Sequence, residues 1–498
     1  MTTTNNTCPS EPAIDALIGA QVLTGAETPD SCLATRTPAG ENTLHRIDPL
    51  VIGRMTSTPA FDLAAPPAAP ARTVATNFAP HIPLSAAQRA AVGAANGKDP
   101  VVFITGRAGT GKSTIISHLR MLPDVVVCAP TGIAALNCRG VTLHSLFKIP
   151  PKFLDPKHPE LKSTQGLNRI GTLVIDEISM VRADVLDYVS MSLQYNRNNR
   201  APFGGVKVIF VGDCRQLPPV VTEQEREAMG TRYPSPWWFD AHCLKELPLA
   251  VTQLTQVHRQ QDPELIELLD TVRHGAIEAP MLSRLNTQCF KGFVAPENAL
   301  ILTARRKEAH TVNQTKLDAL EGVARVYEAR TTGAFSEDSE MNVPSPPRLE
   351  LKVGARVLVT KGHGTLVNGT LGVVTQLNDR SVTIRADGAI GEETLTEATW
   401  EKHRYTLKAD QFLPEVIGTY KQIPLTHGWA ITIHKAQGLT LESVCVDLGS
   451  GAFASGQAYV ALSRTRSMES LSTRRPFNRR DFITDPRVSD FHQRHAVR

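Results

Sequence analysis

The residues best suited to chemistry lie in one stretch, VVFITGRAGTGKST, at residues 101–114. Gly106, Gly111, Lys112 and Ser113 match the pattern G-x-x-x-x-G-K-[ST], in which glycines allow backbone N–H groups to close around phosphate oxygens. In this pattern the lysine reaches the β- and γ-phosphates and the hydroxyl ligates Mg²⁺. The stretch therefore predicts a site for a nucleoside triphosphate with magnesium.

A strand and two helices must position this loop. Residues 101–105 are apolar and indicate a buried strand, and the helix that begins near Lys112 directs its positive end toward the same anion. An earlier helix, LSAAQRAAVGAA, has Ser85 as its N-cap. Its Gln88 carries an amide donor and acceptor that could bind an adenine edge, although a helix glutamine is more often solvated. The predicted nucleotide contacts are Gln88, Gly106, Ala108, Gly109, Thr110, Gly111, Lys112, Ser113 and Thr114.

Two acids follow the apolar strand of LVIDEISMV, at Asp176 and Glu177. Strand ends line the ligand crevice of nucleotide-binding α/β sheets, so both acids should lie beside the phosphate loop. An acid after a strand is commonly a helix cap, but here one can hold magnesium and the other can polarise the attacking water. We therefore predict Ser113 and Asp176 as metal ligands and Glu177 as the water-activating group. Gln216, in the turn after KVIFVGD, is predicted to contact the γ-phosphate.

The composition is that of a globular protein with a mild positive charge. The 498 residues are 41% hydrophobic and contain no apolar run long enough to span a membrane, and no secretory signal is visible at the N-terminus. Eight cysteines without CxxC pairs indicate reduced thiols rather than a zinc site. Residues 1–80 hold four Lys/Arg and seven Asp/Glu, which leaves +7 on the remainder. That charge permits a nucleic-acid partner without requiring one.

The motifs, taken in order, resemble the petite-integration-frequency (PIF) family of superfamily-one helicases, with RecD-like and Dda-like enzymes as relatives. The first-half motifs are ITGRAGTGKS, APTGIAALN, TLHSLF, LVIDEISMV and VGDCRQLPPV, and the second-half motifs are LTQVHRQQDPELIELLDTVRHG, THGWAITIHKAQGLTL and GQAYVALSRTRSMESL. The segment between Val181 and Gly212, which ends in NNRAPFGGVKVIFVGD, resembles the family's own signature, with Arg197 at its second arginine and Gln194 where the first is expected. The resemblance covers about 390 residues, from Leu84 to Leu471.

This resemblance implies an α/β fold with two RecA-like P-loop NTPase domains built on parallel sheets, plus a small wedge insertion and a small β-barrel insertion. The catalytic set it implies is Lys112, Asp176, Glu177, Gln216, Arg259 and Arg464. The two arginines would reach the nucleotide from the second domain and stabilise charge on the transferred phosphoryl. The implied DNA-binding residues are Thr131, His144, Ser145, Thr432, His434 and Lys435.

The predicted organisation follows composition and the same resemblance. It comprises a disordered leader (1–80), a first motor domain (81–250) with a wedge (147–170), a second motor domain (251–345 and 414–475), a β-barrel (346–413) and a basic tail (476–498). The leader is rich in Thr, Ala, Pro and Asn and lacks periodicity. From Ser472 the chain has seven arginines against three aspartates, which could contact phosphates or be merely solvated.

The implied function is an ATP- and Mg²⁺-dependent DNA helicase that moves 5′-to-3′ on single-stranded DNA and opens forked or structured DNA. Replication, recombination, repair and telomere maintenance are the implied settings. Two alternatives stay open: an RNA-directed helicase of the same superfamily, and an ATP-regulated clamp that binds nucleic acid without unwinding it. We expect a monomer without membrane association. It would be cytoplasmic and nucleoid-associated in a bacterium or phage, and nuclear or mitochondrial in a eukaryote.

Overall fold

The computed structural model describes residues 32–36, 42–46, 83–150, 152–290, 292, 294–335, 343–408 and 411–495. The chain divides into two units, Met1–His81 and Ile82–Arg498. In the first, strands β1 (Cys32–Arg36) and β2 (Asn42–Arg46) pair antiparallel, which the sequence pattern did not predict. The rest of the predicted leader lies outside the described residues.

The first lobe of the larger unit is a six-stranded parallel sheet in the order β5-β4-β6-β7-β3-β8. Its strands are β3 (Val101–Gly106), β4 (Val125–Ala129), β5 (Val141–Thr142), β6 (Thr172–Ile175), β7 (Lys207–Gly212) and β8 (Leu249–Leu254). Its helices are α1 (Ala86–Ala95), α2 (Lys112–Leu119), α3 (Gly132–Asn137), α4 (Leu143–Phe147), α5 (Ala183–Arg197) and α6 (Glu223–Arg232). Every residue of β3 is buried, as expected for a parallel strand covered on both faces.

The signature insertion ends in a tight turn, Pro202–Gly205, which α5 braces. Arg197 at the end of α5 donates to the carbonyls of Gly204 (2.8 Å), Asn168 (2.7 Å) and Ile170 (3.1 Å). A Cβ on Gly204 would lie 2.7 Å from the Leu193 carbonyl oxygen, so only glycine fits. The arginine that matches the family pattern therefore fixes a turn of the first lobe.

The second lobe is a four-stranded parallel sheet in the order β20-β9-β21-β22. Its strands are β9 (Leu300–Thr303), β20 (Ala430–Thr432), β21 (Val444–Asp447) and β22 (Leu471–Thr473). Helices α7 (Pro263–His274), α8 (Ala279–Cys289), α9 (Arg306–Asp318) and α10 (Gln457–Leu462) belong to this half, and α11 (Pro486–Arg494) ends the described chain. The α/β class with two parallel sheets is thereby confirmed. None of the helices in the described part of the chain combines the length and hydrophobicity needed to cross a bilayer.

An antiparallel region interrupts the second lobe where the small barrel was predicted. A five-stranded sheet has the order β16-β15-β14-β13-β19, a three-stranded sheet has the order β11-β18-β17, and β10 pairs with β12. These strands are β10 (Arg325–Glu328), β11 (Arg330–Gly333), β12 (Arg348–Leu351), β13 (Arg356–Val359), β14 (Leu371–Leu377), β15 (Ser381–Ala386), β16 (Glu393–Thr396), β17 (Ala398–Lys408), β18 (Gln411–Gln422) and β19 (Leu425–His427). Strands β10, β11 and β19 lie outside 346–413, because pairing partners come from both sides of the insertion.

The predicted wedge, residues 147–170, is mostly irregular chain that rests on the first lobe. Leu154 is buried and its N–H donates to the Asp184 carboxylate at 3.0 Å. Phe153 is partly buried and packs against the same apolar core. Among the residues that the structure describes, the remaining helical segments are single 3₁₀ turns at Leu167–Arg169, Ile178–Met180, Pro202–Gly205, Trp238–Asp240, His242–Leu244, Met468–Ser470 and Arg479–Asp481.

Residues 476–495 of the predicted basic tail are folded, and their aromatic side chains are buried. Phe477 and Phe482 join the core of the second lobe, whereas Phe491 on α11 joins the core of the first. The Phe491 ring stacks on Phe239 with centroids 4.5 Å apart. Burying aromatic rings is more favourable than exposing them, and it outweighs the basic composition that predicted solvation. The tail consequently contacts both lobes.

Candidate active site

The phosphate loop connects β3 to α2 and is closely packed on two sides. Gly109 and Gly111 have φ of +81° and +82°, a region that favours glycine. A Cβ on Gly111 would lie 2.2 Å from Nε2 of Gln88, and one on Gly109 would lie 2.5 Å from Cβ of Arg259. The loop is therefore held between helix α1 and a segment leading into the second lobe.

Gln88 is 5% exposed, and both ends of its amide are hydrogen-bonded to the protein. Its Oε1 accepts from the Ser85 N–H at 2.9 Å, which forms a capping box, and its Nε2 donates to the Thr110 carbonyl at 3.3 Å. The groups that the sequence assigned to adenine thus hold α1 against the phosphate loop. Adenine recognition by Gln88 stays a prediction.

The side chain of Lys112 folds back and binds carbonyls of the phosphate loop. Its Nζ donates to the carbonyls of Gly106 (2.8 Å) and Arg107 (3.0 Å). Burial lowers the pKa of Lys112, while the charges of Asp213 and Glu177 oppose that shift. A phosphate group would compete with the two carbonyls for the ammonium. Its negative charge would favour the protonated form of Lys112, which burial disfavours.

The acids after β6 form a half-buried pair. Glu177 has φ of +48°, and its N–H donates to Oδ1 of Asp176 at 2.8 Å. Desolvation, together with the neighbouring Glu177, raises the pKa of Asp176 to about 7, and desolvation also raises the pKa of Glu177. A nearby cation would restore both carboxylates to the charged form. This oxygen-donor pair, with the Ser113 hydroxyl, suits Mg²⁺.

A glutamine from the second lobe, Gln437, reaches the acids and was not predicted. Its Nε2 donates to Oε2 of Glu177 at 3.0 Å and lies 3.4 Å from Oε1 of Gln216. At the same interface a Cβ on Gly456 would lie 2.3 Å from the Gln216 carbonyl oxygen. The THGWAITIHKAQGLTL motif contains Gln437, but the sequence alone does not reveal that it faces Glu177.

Both predicted arginines belong to the cleft between the lobes and bind carbonyls of the second lobe. Arg259 donates to the carbonyls of Ser463 (3.4 Å) and Gly438 (3.2 Å). Arg464 is 1% exposed and donates from Nε to the Val460 carbonyl at 2.8 Å. Burial, with the charge of Arg259, lowers the pKa of Arg464 to about 9. Glu177 lies close enough to act on the charge of both arginines.

A buried polar network that the sequence did not predict joins the lobes beneath the phosphate loop. Asp213, after β7, pairs with Arg273 of α7 at 2.9 Å. The Tyr459 hydroxyl accepts from the Ala108 N–H at 3.0 Å and lies 3.5 Å from Oδ2 of Asp213. Burial opposes ionisation of Asp213, but the charges of Arg273 and Lys112 outweigh it and lower the pKa to about 2. The carboxylate therefore stays charged.

A second cleft between the lobes, here named the strand cleft, brings together four of the six predicted DNA contacts. It is lined by Thr131, Gly132, Ile133, Ala134, Glu177, Met180, Val220, Ala304, Arg305, Arg306, Thr432, His434, Lys435, Gln437 and Phe453. Burial and the charge of Arg306 lower the pKa of His434 and of Lys435. A bound anion would restore their positive charge.

The other two predicted DNA contacts, His144 and Ser145, lie on α4, apart from the strand cleft. Helix α4 packs near strand β17 of the antiparallel insertion. Burial, with the charge of Arg182, lowers the pKa of His144. The Ser145 N–H donates to Oγ1 of Thr142 at 3.1 Å. Their role in DNA binding stays a prediction.

The phosphate loop belongs to one lobe and both predicted arginines to the other, so the predicted nucleotide site lies between the two lobes. This arrangement defines a two-lobed P-loop NTPase. A family model for PIF1-like helicases matches residues 84–282. The chain belongs to the PIF1-like helicase family, as the following similarities show.

The chain is 32% identical over 483 residues to ATP-dependent DNA helicase PIF1 of Emericella nidulans, which covers 82% of this chain and 63% of that protein. It is 30% identical to ATP-dependent DNA helicase Pif1 of Bdellovibrio bacteriovorus, with 79% and 88% covered. Pif1 from Bacteroides sp in complex with ADP-AlF4 superposes with a TM-score of 0.76 at 33% identity, covering 83% of this chain and 97% of that one. The same helicase bound to ssDNA gives 0.61. The chain spans 57% to 63% of the length of the first three curated relatives that it matches.

Proposed function

We propose that this protein is an ATP-dependent DNA helicase that translocates 5′-to-3′ on single-stranded DNA and opens forked or structured DNA. One observation carries the proposal. Gln437 contacts Glu177 of the nucleotide site, while His434 and Lys435, three and two residues earlier, line the strand cleft. A single short segment of the second lobe therefore contacts Glu177 of the nucleotide site and also lines the strand cleft.

In the proposed hydrolysis cycle, Lys112 exchanges its two loop carbonyls for the phosphates. Ser113 and Asp176 would hold Mg²⁺, which would supply charge neutralisation on the phosphates. Glu177 orients the attacking water and accepts a hydrogen bond from it, which requires the ionised carboxylate that nearby cations favour. Gln216 contacts the γ-phosphate, and its neighbour Gln437 transmits that contact to the second lobe.

Arg259 and Arg464 complete this site from the second lobe. When a triphosphate binds, the guanidinium groups leave their carbonyl partners and stabilise charge on the transferred phosphoryl group. In other phosphoryl-transfer proteins such an arginine raises the rate by a factor of about 10³ to 10⁵. Phosphate release removes their anionic partner, so the lobes separate again. ATP turnover thereby drives alternate closure and opening of the strand cleft.

The strand cleft supports sequence-independent binding. Short polar side chains such as Thr131 and Thr432 and the cation Lys435 suit phosphates, and phosphate contacts carry no sequence information. Opening one base-pair step costs about 1.4 kcal/mol of stacking, so unwinding must be coupled to hydrolysis. The proposed settings are replication, recombination, repair and telomere maintenance, in whichever compartment holds the DNA, with the protein acting as a monomer.

A forked-duplex assay tests this function. We expect strand separation that requires ATP and Mg²⁺, loss of separation and of turnover in R464A despite retained nucleotide binding, and near wild-type activity in R226A, which removes an exposed arginine on α6. ATP turnover with an intact duplex would instead establish the clamp. Equal or better opening of an RNA fork of the same sequence would contradict the DNA assignment.

A further inference from the structure

Each lobe exposes one large apolar side chain in the strand cleft. Phe453, between β21 and α10, is 54% exposed, and Val220, after β7, is 63% exposed. Isolated exposed apolar residues are ordinary on protein surfaces. These two are different because both line the same cleft, one from each lobe, beside side chains that suit phosphates.

The surroundings of Phe453 match the chemistry of single-stranded nucleic acid. The guanidinium carbon of Arg305 lies 5.4 Å from the centre of the Phe453 ring, and Lys435 lines the same cleft. A single strand presents an anionic phosphate and a flat apolar base at every residue. Sequence-independent binding sites recognise it by pairing cations with aromatic rings on which bases stack.

We propose that Phe453 stacks on a base of the bound single-stranded DNA and that Val220 packs against another base from the opposite lobe. This inference rests on the proposed function, which assigned contacts to the phosphates, and it adds that the strand cleft also recognises the bases. Contacts to phosphates alone distinguish poorly between one position along the strand and the next. A stacked base must leave the cleft before the next base can stack there. A base contact on each lobe therefore lets lobe closure move the strand by a defined step.

The experiment compares two probes with identical phosphates: an oligodeoxythymidine and an abasic strand of the same length, with binding measured by fluorescence anisotropy at one salt concentration. Wild type should bind the thymidine strand more tightly. F453A should weaken binding of the thymidine strand by about 5- to 100-fold, the range for one lost base stack, and leave abasic binding unchanged. V220A should show the same pattern with a smaller loss.

F453W should restore binding of the thymidine strand, because a larger ring stacks at least as well. The matched control is Y195A, which removes an aromatic residue that is 57% exposed on α5 and should bind both strands as wild type does.

Three results would overturn the inference: equal wild-type affinity for the two strands, equal weakening of both strands by F453A, or no weakening by F453A. Wild type that binds neither strand would instead overturn the proposed function itself.

Discussion

The buried ion pair between Arg273 and Asp213 predicts how strongly the two lobes support each other. Arg273 is 4% exposed and Asp213 is fully buried, with their charged atoms 2.9 Å apart. Replacing Arg273 with methionine keeps most of the side-chain volume but leaves an unpaired buried carboxylate. Breaking a buried pair in this way costs about 3 to 5 kcal/mol, which is a large fraction of the 5 to 15 kcal/mol that typically stabilises a folded domain.

The pKa of Asp213 gives a second estimate of how strongly its surroundings stabilise the charged carboxylate. Its value of about 2, against an ordinary 3.8, corresponds to about 2 kcal/mol of stabilisation of the charged form. Because the folded-state pKa is lowered, this contribution is fully present above the unfolded-state pKa and is lost as pH falls from about 4 toward 2. Wild type should therefore lose stability in that range. R273M, which lacks the arginine partner of Asp213, should lose less stability between about pH 4 and 2.

The measurement is urea unfolding followed by tryptophan fluorescence, to which the buried Trp237 and Trp238 contribute. K152M is the control, because it removes the exposed Lys152–Glu160 pair and should cost less than about 1 kcal/mol. Adding D213N to R273M should recover part of the loss, since it removes the unpaired charge. An R273M cost no larger than that of K152M would refute this account of the interface.

Three further changes test separate parts of the structure. K112A should abolish ATP turnover and leave single-strand binding largely intact, because Lys112 contacts only carbonyls of its own loop; circular dichroism showing an unfolded variant would contradict this. Y459F removes the acceptor of the buried Ala108 N–H and should lower the free energy of unfolding by about 1 to 3 kcal/mol, the cost of an unsatisfied buried donor; an unchanged free energy in urea unfolding would refute that role. F491A should lower the free energy of unfolding by about 3 to 5 kcal/mol, and a loss below 1 kcal/mol would show that α11 is not docked on the first lobe.

The phosphate loop and the two acids were predictable because their geometry is local. Glycines at 109 and 111 are needed where φ is positive, and the apolar strand before them is buried on both faces. Asp176 and Glu177 follow a strand of the same parallel sheet, so their position beside the loop follows from the class of fold. Local sequence thus determined the chemistry of the nucleotide site and the α/β class.

Only the tertiary structure decided which distant groups meet. Tyr459 contacts Ala108 across 351 positions and Gln437 contacts Glu177 across 260, and no periodicity in either segment specifies those partners. The tail was misjudged in part for the same reason, because its arginines dominate the composition while Phe491 decides where it packs. Sequence patterns encode backbone conformation and burial, whereas the choice of partner depends on how the sheets and helices pack in three dimensions.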